Sequence, residues 1–293
     1  MAGNKKSNKA ELVYQMIKFT ILCENTVLSS SDIIGEHGLS VLIEKDNRSY
    51  LFDTGQGMGI LHNAMYFKKD LSTLDQIFLS HGHYDHTGGL LKALKQVKNI
   101  KVHGHSDIFL KRFAMTKRYG KDVKKDISIP EARYVYESMG ANFVLDKKFR
   151  EAVPGIWLTG EVPRLTSFEK GDSRLVVEQS DGLFPDHVND DQALAVETPK
   201  GLAVILGCAH SGMINTLTHI VKNLDRKIYM VVGGTHTGFL DKKQLDQTID
   251  AAKGFSIEKL GVSHCSGITG AMRFMQEFGK SFFPANAGVE IEV

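Results

Sequence analysis

Residues 79–91 read LSHGHYDHTGGLL, and three histidines and one aspartate fall within six consecutive positions of this stretch. His81, His83, Asp85 and His86 supply imidazole nitrogens and a carboxylate, the ligands that suit zinc, iron or manganese. Because alternate residues of an extended loop point the same way, we expect His81 and His83 to share one metal and Asp85 and His86, past the bend, to bind a second. The stretch therefore predicts a site for two divalent metal ions.

The segments on either side of this cluster place it on a strand-to-helix loop. LDQIFLS, residues 74–80, is a short and nearly continuous apolar run typical of a buried strand, and GGLLKALKQV, residues 88–97, has helical spacing. Similar apolar strands alternate with amphipathic helices through both halves of the chain. The pattern predicts a layered α/β protein whose helices cover the outer faces of its sheets.

Composition narrows the class of protein. The chain has 293 residues, 42% of them apolar, and a net charge of +2, so no global field favours a nucleic acid or a membrane surface as partner. Three cysteines are too few for a disulfide framework and favour a reducing, cytoplasmic location. No apolar run approaches the roughly 20 residues of a membrane span. We expect a flexible tail over residues 1–12 and a single domain over residues 13–293.

The segment from about residue 106 to 153 differs from its surroundings, because it is polar and lies between two predicted strands. Its spacing predicts a mainly helical insertion. Basic side chains dominate one part of it, at Lys111, Arg112, Lys117, Arg118, Lys121, Lys124 and Lys125. Two interpretations stay open, a solvated helix face and a rim that attracts anions to the site.

Remote histidines must complete the metal coordination. LAVILGCAH ends at His210 and EKLGVSHCSG contains His264, and both follow apolar strands, so we predict that both are ligands. His236 and Cys208 have similar settings, and the sequence leaves their roles open. His103 and His105 resemble a metal pair in spacing, but no carboxylate follows them, and we interpret them as loop or pocket lining.

These motifs resemble the metallo-β-lactamase superfamily over nearly the whole chain. YLFDTGQG, with Asp53, is similar to its early aspartate motif, SHGHYDHTGG to its metal-binding loop, and the region of His264 to its last ligand. The resemblance implies an αββα sandwich, two mixed sheets flanked by helices, with a dinuclear metal site at one edge between the sheets.

Six further segments resemble a pterin-related subgroup, the dihydropterin-aminobenzene ribosyl-phosphate synthase-like proteins. They are EHGLSVLIE, FDTGQG, TGEVPR, GCAHSGMINTL, GGTHTGF and SHCSG. The chain departs from the broader superfamily pattern in two places, with Glu161 near the usual position of one histidine and Cys208 near that of the bridging aspartate. His210 is our predicted ligand for the first metal and Glu161 the alternative, while Cys208 or a hydroxide bridges the metals.

This metal set predicts a hydrolase that uses a metal-activated hydroxide, with Asp85 orienting the nucleophile or relaying its proton. Zinc is the expected metal, with iron or manganese as alternatives. The resemblance, the basic insertion and Arg164 indicate a small anionic substrate that carries a phosphate or diphosphate. One alternative is the synthase reaction, which condenses a dihydropterin methyl diphosphate with an aminobenzene ribosyl phosphate. A di-iron oxidoreductase is another, if Glu161 enriches the carboxylate ligands.

Overall fold

The computed structural model describes residues 16–293. The predicted flexible tail, residues 1–12, lies outside the described residues. The strands are β1 (Lys18–Cys23), β2 (Ser40–Lys45), β3 (Arg48–Phe52), β4 (Leu74–Phe78), β5 (Ile100–Gly104), β6 (Arg112–Arg118), β7 (Lys121–Asp126), β8 (Ala141–Leu145), β9 (Arg150–Val153), β10 (Ile156–Leu158), β11 (Leu175–Gln179), β12 (Gly182–Pro185), β13 (Ala193–Thr198), β14 (Gly201–Leu206), β15 (Ile228–Gly234), β16 (Lys259–Ser263) and β17 (Glu290–Glu292).

The helices lie between groups of strands along the described residues. They are α1 (Ile60–Tyr66), α2 (Tyr84–Thr87), α3 (Leu90–Leu94), α4 (Arg133–Ser138), α5 (Met213–Leu224), α6 (Lys242–Lys253) and α7 (Gly267–Phe278). Asp241 caps the first turn of α6 by accepting a hydrogen bond from the backbone N–H of Gln244, which fixes where that helix begins. Within residues 16–293, no helix combines the length and the apolar character needed to cross a bilayer.

Two mixed sheets form the centre of the fold. The first has the order β17-β1-β2-β3-β4-β5-β8, and the second has the order β16-β15-β14-β13-β10-β9. In each sheet one half is antiparallel and the other parallel, with β3, β4, β5 and β8 parallel in the first and β14, β15 and β16 parallel in the second. The parallel halves bring several strand ends to the same edge of the sandwich.

The inner faces of the two sheets pack on each other. Phe19, Ile43 and Phe78 of the first sheet and Leu194 and Ile205 of the second are fully buried in one apolar cluster. Every second residue of a strand faces the same side, so β1 and β2 contribute alternate side chains to this layer and the intervening ones to the opposite face. The core between the sheets is therefore built mainly from the strands, with additions from flanking residues such as Leu39 and Ala285.

The outer faces carry the helices. Ile60 of α1, Leu90 of α3 and Tyr136 of α4 cover the first sheet, and α5, α6 and α7 cover the second with residues such as Leu217, Ile249 and Phe274. The order of layers is helix, sheet, sheet, helix. This arrangement confirms the predicted αββα sandwich.

The prediction of a mainly helical insertion over residues 106–153 is wrong. The segment contains the hairpin β6–β7, then the short helix α4, then β8 and β9. Tyr119 and Gly120, at the turn of the hairpin, both have positive φ, at 51° and 75°, as in the tight turns that suit the twist of paired strands. Lysines and arginines suppressed the apolar alternation by which a strand is recognised, because both faces of β7 carry charges.

The hairpin belongs to a small third sheet of order β12-β11-β6-β7. An isolated antiparallel bridge joins His83 to Ser128, and the backbone N–H of Tyr84 donates to the carbonyl of Ile127 at 3.0 Å. The segment that leaves β7 is thereby hydrogen-bonded to the histidine-rich loop. The insertion forms one wall above the edge where the strand ends of the two larger sheets meet.

Candidate metal centre

The candidate site is assembled from loops that follow strands of both large sheets. Residues 81–86 follow β4, Cys208 and His210 follow β14, His236 follows β15, and His264 follows β16. Ala209, His236 and His264 have positive φ between 53° and 55°, a conformation that costs non-glycine residues free energy and is found most often at functional sites. The chain turns sharply at these strand ends so that the side chains converge.

His81, His83 and His210 form the first group of donors. Nε2 of His81 lies 2.9 Å from Nδ1 of His83, and the ring of His210 lies 4.9 Å from each of the other two rings, centroid to centroid. All three imidazoles are buried, and one nitrogen from each lies within 4.8 Å of the other two. This grouping places His210 where the sequence predicted a remote ligand.

Asp85, His86 and His264 form the second group. Nε2 of His264 lies 3.1 Å from Nε2 of His86 and 3.4 Å from Oδ2 of Asp85, and Nε2 of His86 lies 3.9 Å from the same oxygen. His81 and His86, whose ring centroids are 4.3 Å apart, bring the two groups side by side. The structure brings His81 and His83 together and Asp85 close to His86, as in the predicted division, but His81 also belongs to a donor cluster with His86 and Cys208.

Hydrogen bonds to the Nδ1 atoms of His81 and His86 fix the tautomers of these two histidines. Oδ2 of Asp53 lies 2.7 Å from Nδ1 of His86 and accepts a hydrogen bond of 2.7 Å from the hydroxyl of Ser80. Since Ser80 donates its proton to Asp53, its Oγ is left to accept one from Nδ1 of His81, 2.8 Å away. Both imidazoles therefore carry the proton on Nδ1 and turn an Nε2 lone pair into the site.

His264 is oriented in the same way from the opposite side. Its Nδ1 lies 2.9 Å from Oδ1 of Asn25, and that oxygen also accepts from the backbone N–H of Gly38 at 3.3 Å. The backbone N–H of His264 donates to Glu24 at 2.6 Å. Nε2 lone pairs of His86 and His264 thus face each other at 3.1 Å, an arrangement that a shared cation stabilises.

Burial keeps the first group neutral. It lowers the pKa of His83 to about 3, and with the neighbouring histidines it holds the pKa values of His81 and His210 well below 6.5. Both nitrogens of His210 and Nε2 of His83 are buried with no hydrogen-bond partner among the described residues. Buried imidazoles without partners are costly, and neutral imidazoles are the form that binds metals. The donor set therefore fits divalent metal ions of the zinc type.

The second group has the opposite electrostatic character. Burial opposes charge on His86, but the carboxylates of Asp53 and Asp85 outweigh it and raise the pKa of His86. Burial likewise opposes the charge of Asp85, yet His86, His264 and His37 hold its pKa well below its usual value. The group thus contains a carboxylate that stays ionised, that of Asp85, and an imidazole, that of His86, whose surroundings favour a bound cation.

Cys208 lies next to both groups. Its Sγ is 3.2 Å from Nε2 of His86, and it belongs to a donor cluster with His81 and His86 and to another with His236 and Cys265. Glu161, the other candidate left open by the sequence, is exposed and belongs to none of the donor clusters found among the described residues. Of the two departures from the superfamily pattern, only Cys208 is placed to contact a bound metal.

His37, Cys265 and Asn25 were not predicted to be part of the site. Nε2 of His37 lies 3.1 Å from Oδ2 of Asp85, and Cys265 accepts from the backbone N–H of His236 at 3.2 Å. His37 and Asn25 precede β2 by sequence but have no local pattern that marks a ligand. For Cys265, the adjacent His264 was the available signal.

His103 and His105 are buried away from these groups. Nδ1 of His103 lies 3.0 Å from the guanidinium of Arg150, and Nδ1 of His105 accepts from the backbone N–H of Asp107. These contacts agree with excluding both residues as metal ligands, but the interpretation of His103 as loop lining is wrong, because it lies within β5.

The loop that carries His210 is held by three polar side chains. Arg164 donates to the carbonyl of His210 at 2.9 Å and also to the carbonyl of His187. Asp191 accepts from the backbone N–H of Ser211 at 3.0 Å, and Glu169 accepts from the first backbone N–H groups of α5. Arg164 is therefore engaged in orienting the loop, which is a different role from the anion binding predicted for it.

A buried ion pair holds the histidine-rich loop from below. Arg112 is 1% exposed and donates to both carboxylate oxygens of Asp190, at 3.0 and 2.8 Å, and to Asp186 at 2.8 Å. Oδ2 of Asp190 also accepts from the backbone N–H of Gly82 at 2.8 Å. Arg112, the first residue of β6, thereby connects the insertion to the loop between His81 and His83.

A cavity of about 210 Å³ opens above the two donor groups. The hairpin β6–β7 forms one wall, where Lys125 and Tyr84 lie, and Arg174 and Phe239 form the other. A second cavity of about 550 Å³ shares the wall at Arg174 and Phe239. The site is open to a small molecule, and the positively charged side chains of Lys125 and Arg174 lie on opposite sides of its opening.

A sandwich of this topology, with histidine-rich loops at the strand ends of both sheets, defines a metal-binding enzyme class. Residues 33–264 match the family model of the metallo-beta-lactamase superfamily. The chain belongs to this superfamily.

The relatives include proteins of different activity. A 7,8-dihydropterin-6-methyl-4-(beta-D-ribofuranosyl)-aminobenzene-5'-phosphate synthase of Methanocaldococcus jannaschii is 32% identical over 93% of this chain and 95% of its own length. The crystal structure of Tm1679, described as a metal-dependent hydrolase of the beta-lactamase superfamily, is 26% identical, with a TM-score of 0.78 over 94% of this chain and 99% of its own. Zn(2+)-bound PqqB of Methylobacterium extorquens is 11% identical, with a TM-score of 0.56 over 94% of this chain and 100% of its own, and shares the fold.

Proposed function

We propose that the protein is a metal-dependent hydrolase that acts on a small molecule bearing a phosphate or diphosphate. The observation that carries this proposal is the convergence of two donor groups, His81 with His83 and His210, and Asp85 with His86 and His264, at the floor of one open cavity. Histidine and carboxylate donors in two adjacent groups are the arrangement of two-metal hydrolytic sites. Zinc is the proposed metal, with iron or manganese as alternatives.

Two divalent cations held there would supply Lewis acidity and lower the pKa of a coordinated water toward neutrality. Asp85 stays ionised and lies at the second group, where its carboxylate can orient the nucleophile or relay its proton. His37 contacts Asp85 at 3.1 Å and is itself half exposed, so it offers that proton a path to solvent. Asp53, Ser80 and Asn25 keep the three Nε2 atoms aimed into the site.

The proposed substrate class rests on the mouth of the cavity and on similarity. Cationic side chains at Lys125 and Arg174 line the opening, and phosphate groups are good partners for such side chains. The Methanocaldococcus jannaschii relative is named for a phosphorylated product. A small anionic molecule suits the cavity of about 210 Å³.

The experiment is a substrate panel with controlled metal content. Purified protein is stripped with a chelator, reloaded with zinc, manganese or iron, and assayed with phosphoesters, diphosphates, lactones and thioesters. We expect the stripped protein to be inactive and reloaded protein to hydrolyse phosphorylated substrates. Full activity after metal removal would refute the metal mechanism, and turnover confined to lactones would refute the substrate class.

The synthase reaction is the second candidate, and the 32% identity to the Methanocaldococcus jannaschii synthase over nearly the full length of both chains favours it. In this reaction the amine nitrogen of the aminobenzene would form a bond to the pterin methyl carbon and lose a proton, while the C–O bond to the diphosphate breaks and diphosphate leaves. Diphosphate release that requires the amine partner, with formation of the joined product, would support this reaction. Release of diphosphate without the amine would support hydrolysis. The di-iron alternative needed a carboxylate from Glu161, which is exposed and outside the donor groups.

A further inference from the structure

We propose that Lys125 and Tyr84 form a binding site for a phosphate group of the substrate at the mouth of the cavity. This inference deepens the proposed function and rests on it, because it takes residues 81–86 as the reacting centre. The phosphate concerned is any phosphate group of the ligand that reaches Lys125 and Tyr84 from within the cavity.

The two side chains are in direct contact. Nζ of Lys125 lies 2.7 Å from the hydroxyl oxygen of Tyr84 and 4.4 Å from the centroid of its ring. Tyr84 stands between His83 and Asp85 in the sequence. Its side chain therefore leads from the donor groups outward, with the ammonium group of Lys125 at its outer end.

The backbone fixes Lys125 relative to the metal loop. The N–H of Tyr84 donates to the carbonyl of Ile127 at 3.0 Å, and His83 pairs with Ser128 through an isolated bridge. Only one residue separates Lys125 from Ile127. The position of the lysine is thus set by the same hydrogen bonds that hold the histidines, as a binding group of an active site requires.

The hydrogen-bonding capacity of the pair suits a phosphate. Lys125 donates one of its three protons to the oxygen of Tyr84, so two remain, and the tyrosine keeps its own O–H proton for another acceptor. Together the two side chains present three donors toward solvent. A phosphate group offers several oxygens in a compact tetrahedron and carries the charge that Lys125 attracts.

The charge of Lys125 is unmatched, unlike that of nearby cations. Arg174, on the opposite wall, is paired with Asp172 at 2.8 Å, and Lys111 is paired with Asp126. Within residues 16–293, no carboxylate oxygen forms a salt bridge with Lys125; the contacts of its Nζ are with Tyr84. An anionic ligand would supply the missing partner of Lys125, whereas Arg174 and His236 on the opposite wall already contact the carboxylate of Asp172.

Lys124 provides a matched control. It is the neighbouring residue of β7, so its side chain points to the other face of the strand, and its Nζ lies 4.3 Å from the centroid of Phe113. It does not line the cavity. The substitutions Lys124→Met and Lys125→Met remove the same charge from the same strand, and only the second removes it from the mouth.

The test is calorimetric titration of the metal-loaded full-length protein with phenyl phosphate. We expect Lys125→Met to weaken binding by about 10-fold or more, as loss of a charged hydrogen-bonding partner does. Lys124→Met should change it by less than about twofold, because a distant exposed charge is screened. Tyr84→Phe should give an intermediate loss, and Lys125→Arg should retain most of the affinity. Metal content and circular dichroism check that each variant is folded and loaded.

The inference is overturned if wild-type protein does not bind phenyl phosphate, or if Lys125→Met and Lys124→Met bind it equally well. The titration needs no turnover, so it is independent of the activity assay. If the wild-type protein binds phenyl phosphate through Lys125 but turns over no phosphorylated substrate, the proposed function fails and the binding site stands. If the wild-type protein hydrolyses such substrates while Lys125→Met binds normally, the binding site fails and the function stands.

Discussion

Replacing Arg112 by methionine tests whether the buried ion pair beneath the metal loop stabilises the fold. The guanidinium makes three hydrogen bonds of 2.8 to 3.0 Å to Asp190 and Asp186, and the side chains of these carboxylates are 0% and 7% exposed. Methionine fills part of the space of the arginine stem but leaves two buried carboxylates without a counter-charge. Breaking such a pair from one side costs about 3–5 kcal/mol.

The loss should depend on pH in a defined direction. Burial raises the pKa of Asp190 from 3.8 to about 6 even though Arg112 draws it down. Removing Arg112 raises this pKa further, so the variant binds a proton at Asp190 in the folded state that the unfolded state has released. A raised folded pKa means stability that is present at low pH and lost as pH rises through that pKa. The deficit of Arg112→Met is therefore smaller at pH 5 than at pH 8.

Urea unfolding followed by circular dichroism at pH 5 and pH 8 measures the free energy of unfolding of both proteins. Arg133→Met is the control, because Arg133 forms an exposed pair with Glu137 and its loss should cost less than about 1 kcal/mol. If Arg112→Met destabilises the protein no more than Arg133→Met at pH 8, or if its deficit is larger at pH 5, the reasoning is refuted.

Further predictions concern the metal centre itself. Asp53→Asn removes the charge that orients His86 through a contact of 2.7 Å, and we expect metal affinity, measured by competition with a chelator, to fall about 10- to 100-fold. His210→Ala removes one donor of the first group, so metal analysis should find one ion fewer per chain. Gly82→Ala brings a Cβ to 2.1 Å from the carbonyl oxygen of Ile108, and it should lower thermal stability and metal content together. Chelation should lower the melting temperature of the wild-type protein, since a metal at about 100 times its dissociation constant adds about 2.7 kcal/mol to folded-state stability.

Each of these four predictions has a result that would contradict it. His219→Ala, at a histidine of α5 whose Nε2 contacts the carbonyl of Thr159, should leave the metal content unchanged, and an equal loss in both histidine variants would contradict the assignment of His210. Unchanged affinity in Asp53→Asn would mean that the tautomer of His86 is fixed by other groups. A melting temperature that does not respond to chelation would contradict metal binding by the folded state. Normal stability in Gly82→Ala would show that the loop has room to move.

Much of the sandwich could be predicted because its signals are local. The apolar strands β13 to β16 and the amphipathic helices α5 to α7 each carry their pattern within a dozen residues, and the structure has them where the sequence placed them. The hairpin β6–β7 could not be predicted in this way. Its strands contribute few buried side chains, so pairing and the positive-φ turn at Tyr119 and Gly120 decide its conformation.

The residues of the candidate site also fall into those with a local sequence signal and those without one. By itself the sequence determined the clustered donors of residues 81–86, because they are adjacent in the chain, and it indicated His210 and His264, because both follow apolar strands whose ends share an edge of the sandwich. Only the tertiary structure decided that Asp53 and Ser80 orient the imidazoles, that Arg112 and Asp190 hold Gly82, and that His37 and Cys265 join the site. Periodicity reports which face of an element is buried, whereas a hydrogen bond between residues distant in sequence exists only after folding has brought its donor and acceptor within about 3 Å.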